Sequence, residues 1–86
     1  MINPKIYVGN LGFSISDKTL TTMFAKFGRV RSAKIVKNYE TNQSKGFAFV
    51  EMCSGYEAEV AIMRLNGTNM NGRTIKVSAA NPLFRF

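Results

Sequence analysis

Residues 45–52 read KGFAFVEM. The stretch is β-prone, and successive strand side chains point to opposite faces. Ala48, Val50 and Met52 therefore share one face, and Lys45, Phe47, Phe49 and Glu51 share the other. Both faces carry large apolar groups, but only the second is edged with charge. The fold must cover the first face and leave the second to something else.

Working outward, the hydrophobic periods change in a fixed order. KIYVG at 5–9 alternates and predicts a strand. Ser16 is placed to cap a helix, with Asp17 in its first turn to complement the dipole. Leu20, Met23, Phe24 and Phe27 follow at i, i+3, i+4, i+7, the stripe of an amphipathic helix that Gly28 stops. Val30 to Lys37 predicts a second strand. Val30 has the wrong parity for Ala33 and Ile35, so a bulge is expected at its start. Asn38 to Ser44 predicts a polar loop, in which Asn38 or Asn42 is suited to a positive φ.

After the quoted strand, Ser54 and Glu57 form an S-x-x-E capping box for a second helix. Its stripe is Ala58, Ala61, Ile62 and Leu65, ended by Asn66-Gly67. Met23 and Met63 are expected in or near the core. Asn71-Gly72 is a turn signal, and Thr74 to Ala79 predicts the last strand. The order β-α-β-β-α-β defines an α+β, ferredoxin-like sandwich with a four-stranded antiparallel sheet. Right-handed crossovers put both helices on one side. They cover Ile6, Val8, Ala33, Ile35, Ala48, Val50, Ile75 and Val77.

The opposite face has no helix left for it. It carries Lys5, Tyr7 and Gly9, then Lys34 and Val36, then Lys45, Phe47, Phe49 and Glu51, then Lys76 and Ser78. If the first and third strands are neighbours, Tyr7, Phe47 and Phe49 cluster inside a ring of lysines. Net charge is +7, and Asp17, Glu57 and Glu59 belong to the helices. A flat surface of rings and ammonium groups suits unstacked bases and phosphates, so a single-stranded nucleic acid is the expected ligand. A duplex fits poorly, because its bases are already stacked.

These residues resemble a known family. IYVGNL at 6–11 resembles the RNP2 motif of the RNA recognition motif (RRM) family, and KGFAFVEM resembles RNP1. Met52 stands where RNP1 has an aromatic, at a position whose parity is core. The resemblance runs from about Lys5 to Ala80. It implies that Tyr7 stacks on one base, Phe49 stacks on the next, Phe47 packs against the sugars between them and Lys45 meets a phosphate. It also implies that Ser78, Ala80 and Asn81 read base edges. Strand parity adds Lys5, Lys34 and Lys76 as electrostatic contacts, with Arg31, Lys37 and Arg73 at loops and edges. The loop NYETNQSK is less basic than in relatives, carrying Glu40 and no glycine.

The expected function is single-stranded RNA binding with a post-transcriptional role, with single-stranded DNA a weaker ligand. An alternative occupant of the face is a partner protein, or the chain's own Leu83, Phe84 and Phe86. Residues 1–81 are expected to form the single domain and 82–86 a short tail. The chain is expected to be a cytoplasmic monomer (nuclear in a eukaryote), away from membranes, with no cofactor or metal. Its single cysteine, Cys53, rules out an intramolecular disulfide.

An enzyme is the reading from another class. The same topology hosts acylphosphatases, which need an arginine in the loop after strand one. No arginine falls between Met1 and Lys26, and the absence of histidine removes His-based acid–base chemistry.

Overall fold

The chain alternates strands and helices as its periodicity requires. The computed structural model describes residues 4–81. The elements are β1 (Lys5–Gly9), α1 (Asp17–Ala25), β2 (Val30–Asn38), β3 (Gln43–Met52), α2 (Gly55–Leu65), β4 (Asn69–Met70), β5 (Arg73–Thr74) and β6 (Lys76–Ala79). The main sheet has the order β2-β3-β1-β6, antiparallel at every pairing. This is the ferredoxin-like arrangement, with β4 and β5 added as a small separate hairpin.

The core lies between one sheet face and the helices. Ile6, Val8, Ala48, Val50, Ile75 and Val77 are buried against Leu20 and Phe24 of α1 and Ala58 and Ala61 of α2. Burying a side chain of the Leu, Ile or Phe kind contributes about 1.5–3 kcal/mol. Met52 is fully buried, as its parity requires. Leu11 and Ile15 also enter the core from the β1–α1 connection, which the sequence marks only as loop.

Ser16 caps α1, its Oγ accepting from the Thr19 N–H at 3.2 Å. Asp17 does more than complement the dipole: its Oδ1 accepts from the Ile35 N–H at 2.8 Å and ties α1 to edge strand β2. The helix stops at Ala25, earlier than its stripe suggests. Phe27 lies beyond the helix, its N–H donating to the Phe24 carbonyl, and still packs on the core. At α2, Ser54 Oγ accepts from the Glu57 N–H, which is one half of the expected capping box. The Glu57 side chain lies over Gly28 instead of completing the other half, and its Oε2 is buried without a hydrogen-bond partner.

Three details correct the sequence reading. Met63 is exposed, because it lies one step off the stripe of Ala58, Ala61, Ile62 and Leu65. The 38–44 loop shrinks to Tyr39–Asn42, because β2 and β3 pair as far as Asn38 and Gln43. Asn38 Oδ1 gathers the N–H groups of Glu40 and Thr41, and Asn42 takes φ 62°. The last strand is broken at Ile75. Its N–H and carbonyl pair with Thr68 and Gly67, so Arg73–Thr74 joins the small hairpin while only Lys76–Ala79 reaches the sheet. The Asn71-Gly72 turn that closes that hairpin has positive φ at both residues, 52° and 87°.

The bulge expected at the start of β2 is present: Val30 pairs with Met52 but Ser32 with Glu51, leaving Arg31 as the extra residue. A second irregularity was not legible. Ile35 pairs with Ala48 and Lys37 with Ser44, so Val36 faces Lys45, Gly46 and Phe47 together.

Candidate nucleic-acid interface

The uncovered face is organised by register. Lys34 pairs with Phe49, Phe49 with Tyr7, and Tyr7 with Ser78. One row therefore crosses all the strands of the main sheet in the order cation, ring, ring, hydroxyl. A second row places Ser32 and Lys5 on either side of Glu51. Lys76 pairs with Gly9 at the far edge.

The three rings form one cluster. Tyr7 lies 5.9 Å from Phe47 at a 34° tilt and 6.0 Å from Phe49 at 63°, and Phe47 meets Phe49 edge-on at 6.1 Å and 90°. All are half-buried, so the rings brace one another and keep surface open to solvent. The Lys5 ammonium sits 5.8 Å from the Phe49 ring centre, within cation–π range. Lys34, Lys76 and Ser78 are exposed.

Two glycines of the motifs have specific tasks. Gly9 lies under the Tyr7 ring. A Cβ there would sit 2.7 Å from Tyr7 Cε2 and Cζ and closer still to Oη. Gly46 takes φ +87° inside the bulge of β3. Its carbonyl accepts from the Leu11 N–H at 2.8 Å and its N–H donates to Ser44 Oγ. A side chain there would be strained in φ, while its Cβ would meet the Leu11 carbonyl and the Phe13 ring only at ordinary contact distance. Lys45 is exposed at the start of this bulge, so strict alternation from Phe47 does not define its side of the sheet.

The segment after β6 is drawn back along β1. The Ala80 N–H donates to the Lys5 carbonyl at 2.8 Å, and Asn81 Oδ1 accepts from the Lys5 N–H at 2.9 Å. Ala80 and Asn81 are thereby held beside the cluster, with Asn81 Oδ1 engaged by the backbone. Leu83, Phe84 and Phe86 lie outside the described residues.

One cluster has no sequence signal. Arg73 donates from Nε to the Asn10 carbonyl and from Nη2 to Asn10 Oδ1, while Asn10 Nδ2 donates to the Thr74 carbonyl. Asn10, at φ 59°, thus binds the β1–α1 connection to β5. Arg73 meets only neutral acceptors there, so its charge stays available at the sheet edge. Among the described residues, no group of three His, Cys, Asp or Glu side chains could hold a metal, and no helix is long and apolar enough to cross a membrane.

A sheet with stacking platforms and cations on one face, and helices on the other, defines a class of nucleic-acid-binding domain. The family model for the RNA recognition motif matches residues 6–76, and the chain belongs to that family. It is similar to the chloroplastic RNA-binding protein CP31B of Arabidopsis thaliana, 43% identical over 76 residues, covering 88% of this chain and 26% of that protein. It is also similar to the putative RNA-binding protein RbpA of a Nostoc strain, 43% identical over 77 residues, covering 90% of this chain and 76% of that one. Among solved structures, a Sxl-lethal protein–RNA complex superposes with a TM-score of 0.88 at 32% identity, covering 94% of this chain and 48% of that one. The chain spans about a quarter of the length of the chloroplastic relatives it matches.

Proposed function

We propose that this chain binds single-stranded RNA across the open face of the main sheet and acts in post-transcriptional control. The row Lys34–Phe49–Tyr7–Ser78 carries the reading. It offers two adjacent π-faces, a cation at one end and a hydrogen-bonding hydroxyl at the other. Tyr7 and Phe49 stack on neighbouring bases, and Phe47 packs against the sugars between them. Lys45, Lys5, Lys34 and Lys76 neutralise phosphates or bond to bases, and Ser78, Ala80 and Asn81 meet base edges. About two to four nucleotides fit the sheet.

Support comes from family membership and from relatives whose names state RNA binding, among them a structure solved with RNA. Residues 1–81 act as one domain and as a monomer in the cytoplasm, and 82–86 form the tail. Single-stranded DNA binds more weakly wherever a 2′-hydroxyl is read. The role is that of a binding protein, with no reaction catalysed.

An amide NMR titration with random-sequence short single-stranded RNA tests the reading. Shifts concentrated at Tyr7, Phe47, Phe49 and the residues after Ala79 are expected. Unmoved resonances at that face under saturating RNA would overturn it.

A further inference from the structure

The open face of the sheet holds one acid. Asp17 lies on α1, Glu57 and Glu59 lie on α2, and Glu40 lies in the turn between β2 and β3, which leaves Glu51 among the rings and cations. Its side of the sheet is fixed by the strand. From Phe47 to Met52 half-buried and buried residues alternate, and Glu51 falls with Phe47 and Phe49. It stands two residues beyond Phe49, about 7 Å along β3. Register sets Ser32 on one side of it and Lys5 on the other. Lys5 does not neutralise it: the ammonium sits 5.8 Å from the Phe49 ring centre instead. Among the described residues, no hydrogen bond or ion pair engages the Glu51 carboxylate.

A carboxylate repels phosphate, and it accepts hydrogen bonds without donating any. On a face that RNA approaches through lysines, it gains only from a group that brings donors. The bases differ in this. Guanine presents N1–H and the N2 amino group side by side, two donors at the spacing of the two carboxylate oxygens. Adenine and cytosine each set one amino group beside a ring-nitrogen acceptor, and uracil sets its N3–H between two carbonyl acceptors. Those acceptors repel a carboxylate that tries to take the neighbouring donor. A bidentate pair with an ionised acceptor is also stronger than a neutral hydrogen bond. Lys5, the cross-strand neighbour of Glu51, supplies a donor for the guanine O6 acceptor next along the same edge. Glu51 and Lys5 together thus complement guanine and mismatch the other bases.

We propose that Glu51 is a specificity-determining residue of the open face and selects guanine for the base that stacks on Phe49, its carboxylate accepting from N1–H and the N2 amino group. The inference rests on the RNA-binding reading and deepens it. Stacking on Phe49 is indifferent to which base is present, because every base has a π-face. The carboxylate beyond the ring supplies the discrimination that stacking lacks.

The test uses uridine strands of about seven nucleotides in which a single guanosine occupies each position in turn, with the all-uridine strand as reference, read by fluorescence anisotropy. The wild type should bind at least one guanosine strand about tenfold more tightly than the all-uridine strand. Replacing that guanosine with inosine, which lacks the N2 amino group, should remove most of the gain. This arm alters the RNA alone, so misfolding cannot imitate it. Glu51→Gln offers one donor and one acceptor in place of two acceptors. It should lose the guanosine gain while binding the all-uridine strand at least as tightly as the wild type does. A wild type that binds every guanosine strand no better than all-uridine, or inosine as well as guanosine, overturns the assignment and leaves the sheet reading intact. So does a Glu51→Gln variant that keeps the gain or weakens every strand equally. Failure of the wild type to bind any of the strands overturns both readings.

Discussion

The Tyr7 ring lies across Gly9, two residues along the same face of β1, in space that any Cβ at Gly9 would occupy. The Tyr7 ring is thus set flat by the lack of a side chain beneath it. Its other neighbours, Phe47 and Phe49, brace it from β3. The pose of the Tyr7 ring and the absence of a side chain at Gly9 are coupled at this point.

Gly9→Ala should therefore lift the Tyr7 ring from the sheet. Gly9 does not have a positive φ, so alanine is tolerated by the strand backbone. RNA affinity should fall by up to the stacking energy of one base, about 1–3 kcal/mol, with a melting temperature close to that of the wild type. Isothermal titration with thermal denaturation measures both. An unchanged affinity would mean the flat ring is not what the base needs.

Phe49→Ala removes the ring at the centre of the row from Lys34 to Ser78. Binding should weaken by about 1–3 kcal/mol while the fold survives, since Phe49 faces away from the helices. Retained affinity, or loss of the folded amide spectrum, would count against the stacking assignment.

Phe24→Ala acts on the other side of the sheet. Phe24 is fully buried, and its removal should cost about 3–5 kcal/mol of stability. Urea denaturation measures the loss. A cost below 1 kcal/mol, on the order of a surface substitution, would mean the α1 stripe is not the core.

Salt should weaken RNA binding with a log–log slope of about 0.7 per phosphate contacted. Lys34→Gln, at the exposed end of the row, should lower that slope by about 0.7. Equal slopes for variant and wild type would remove Lys34 from the set of phosphate contacts.

Gly46→Ala should be costly because it places a side chain at φ +87°, so a stability loss of about 1–3 kcal/mol is expected. The Leu11 amide should also lose hydrogen-exchange protection as its bond to Gly46 weakens. A fully stable variant would show that the bulge adapts.

Much of this was legible in the linear chain because both signals are local. Period-two alternation in KGFAFVEM and KIYVG separates a core face from an aromatic face, and period-3.6 stripes place the helices on the first. Tyr7, Phe47, Phe49, Lys34, Lys76 and Ser78 follow from parity. So does the bulge at Arg31, since Val30 breaks the alternation. Alternation misleads where a backbone irregularity has no apolar signature. The three residues of β3 that face Val36 include Gly46, whose positive φ resets the count for Lys45.

The remaining features depend on atoms distant in sequence, and no periodicity encodes them. Asp17 reaches Ile35, Glu57 reaches Gly28, Asn66 Oδ1 receives the Val77 N–H, and Arg73 clasps Asn10. The break at Ile75 follows from pairing with Thr68 and Gly67, which competes with the sheet for the same backbone groups. Periodicity along the chain settles which side chains share a face, because the backbone repeat is local. Which of them meet across strands is set by register and loop packing, and these exist only once the sheet has closed against its helices.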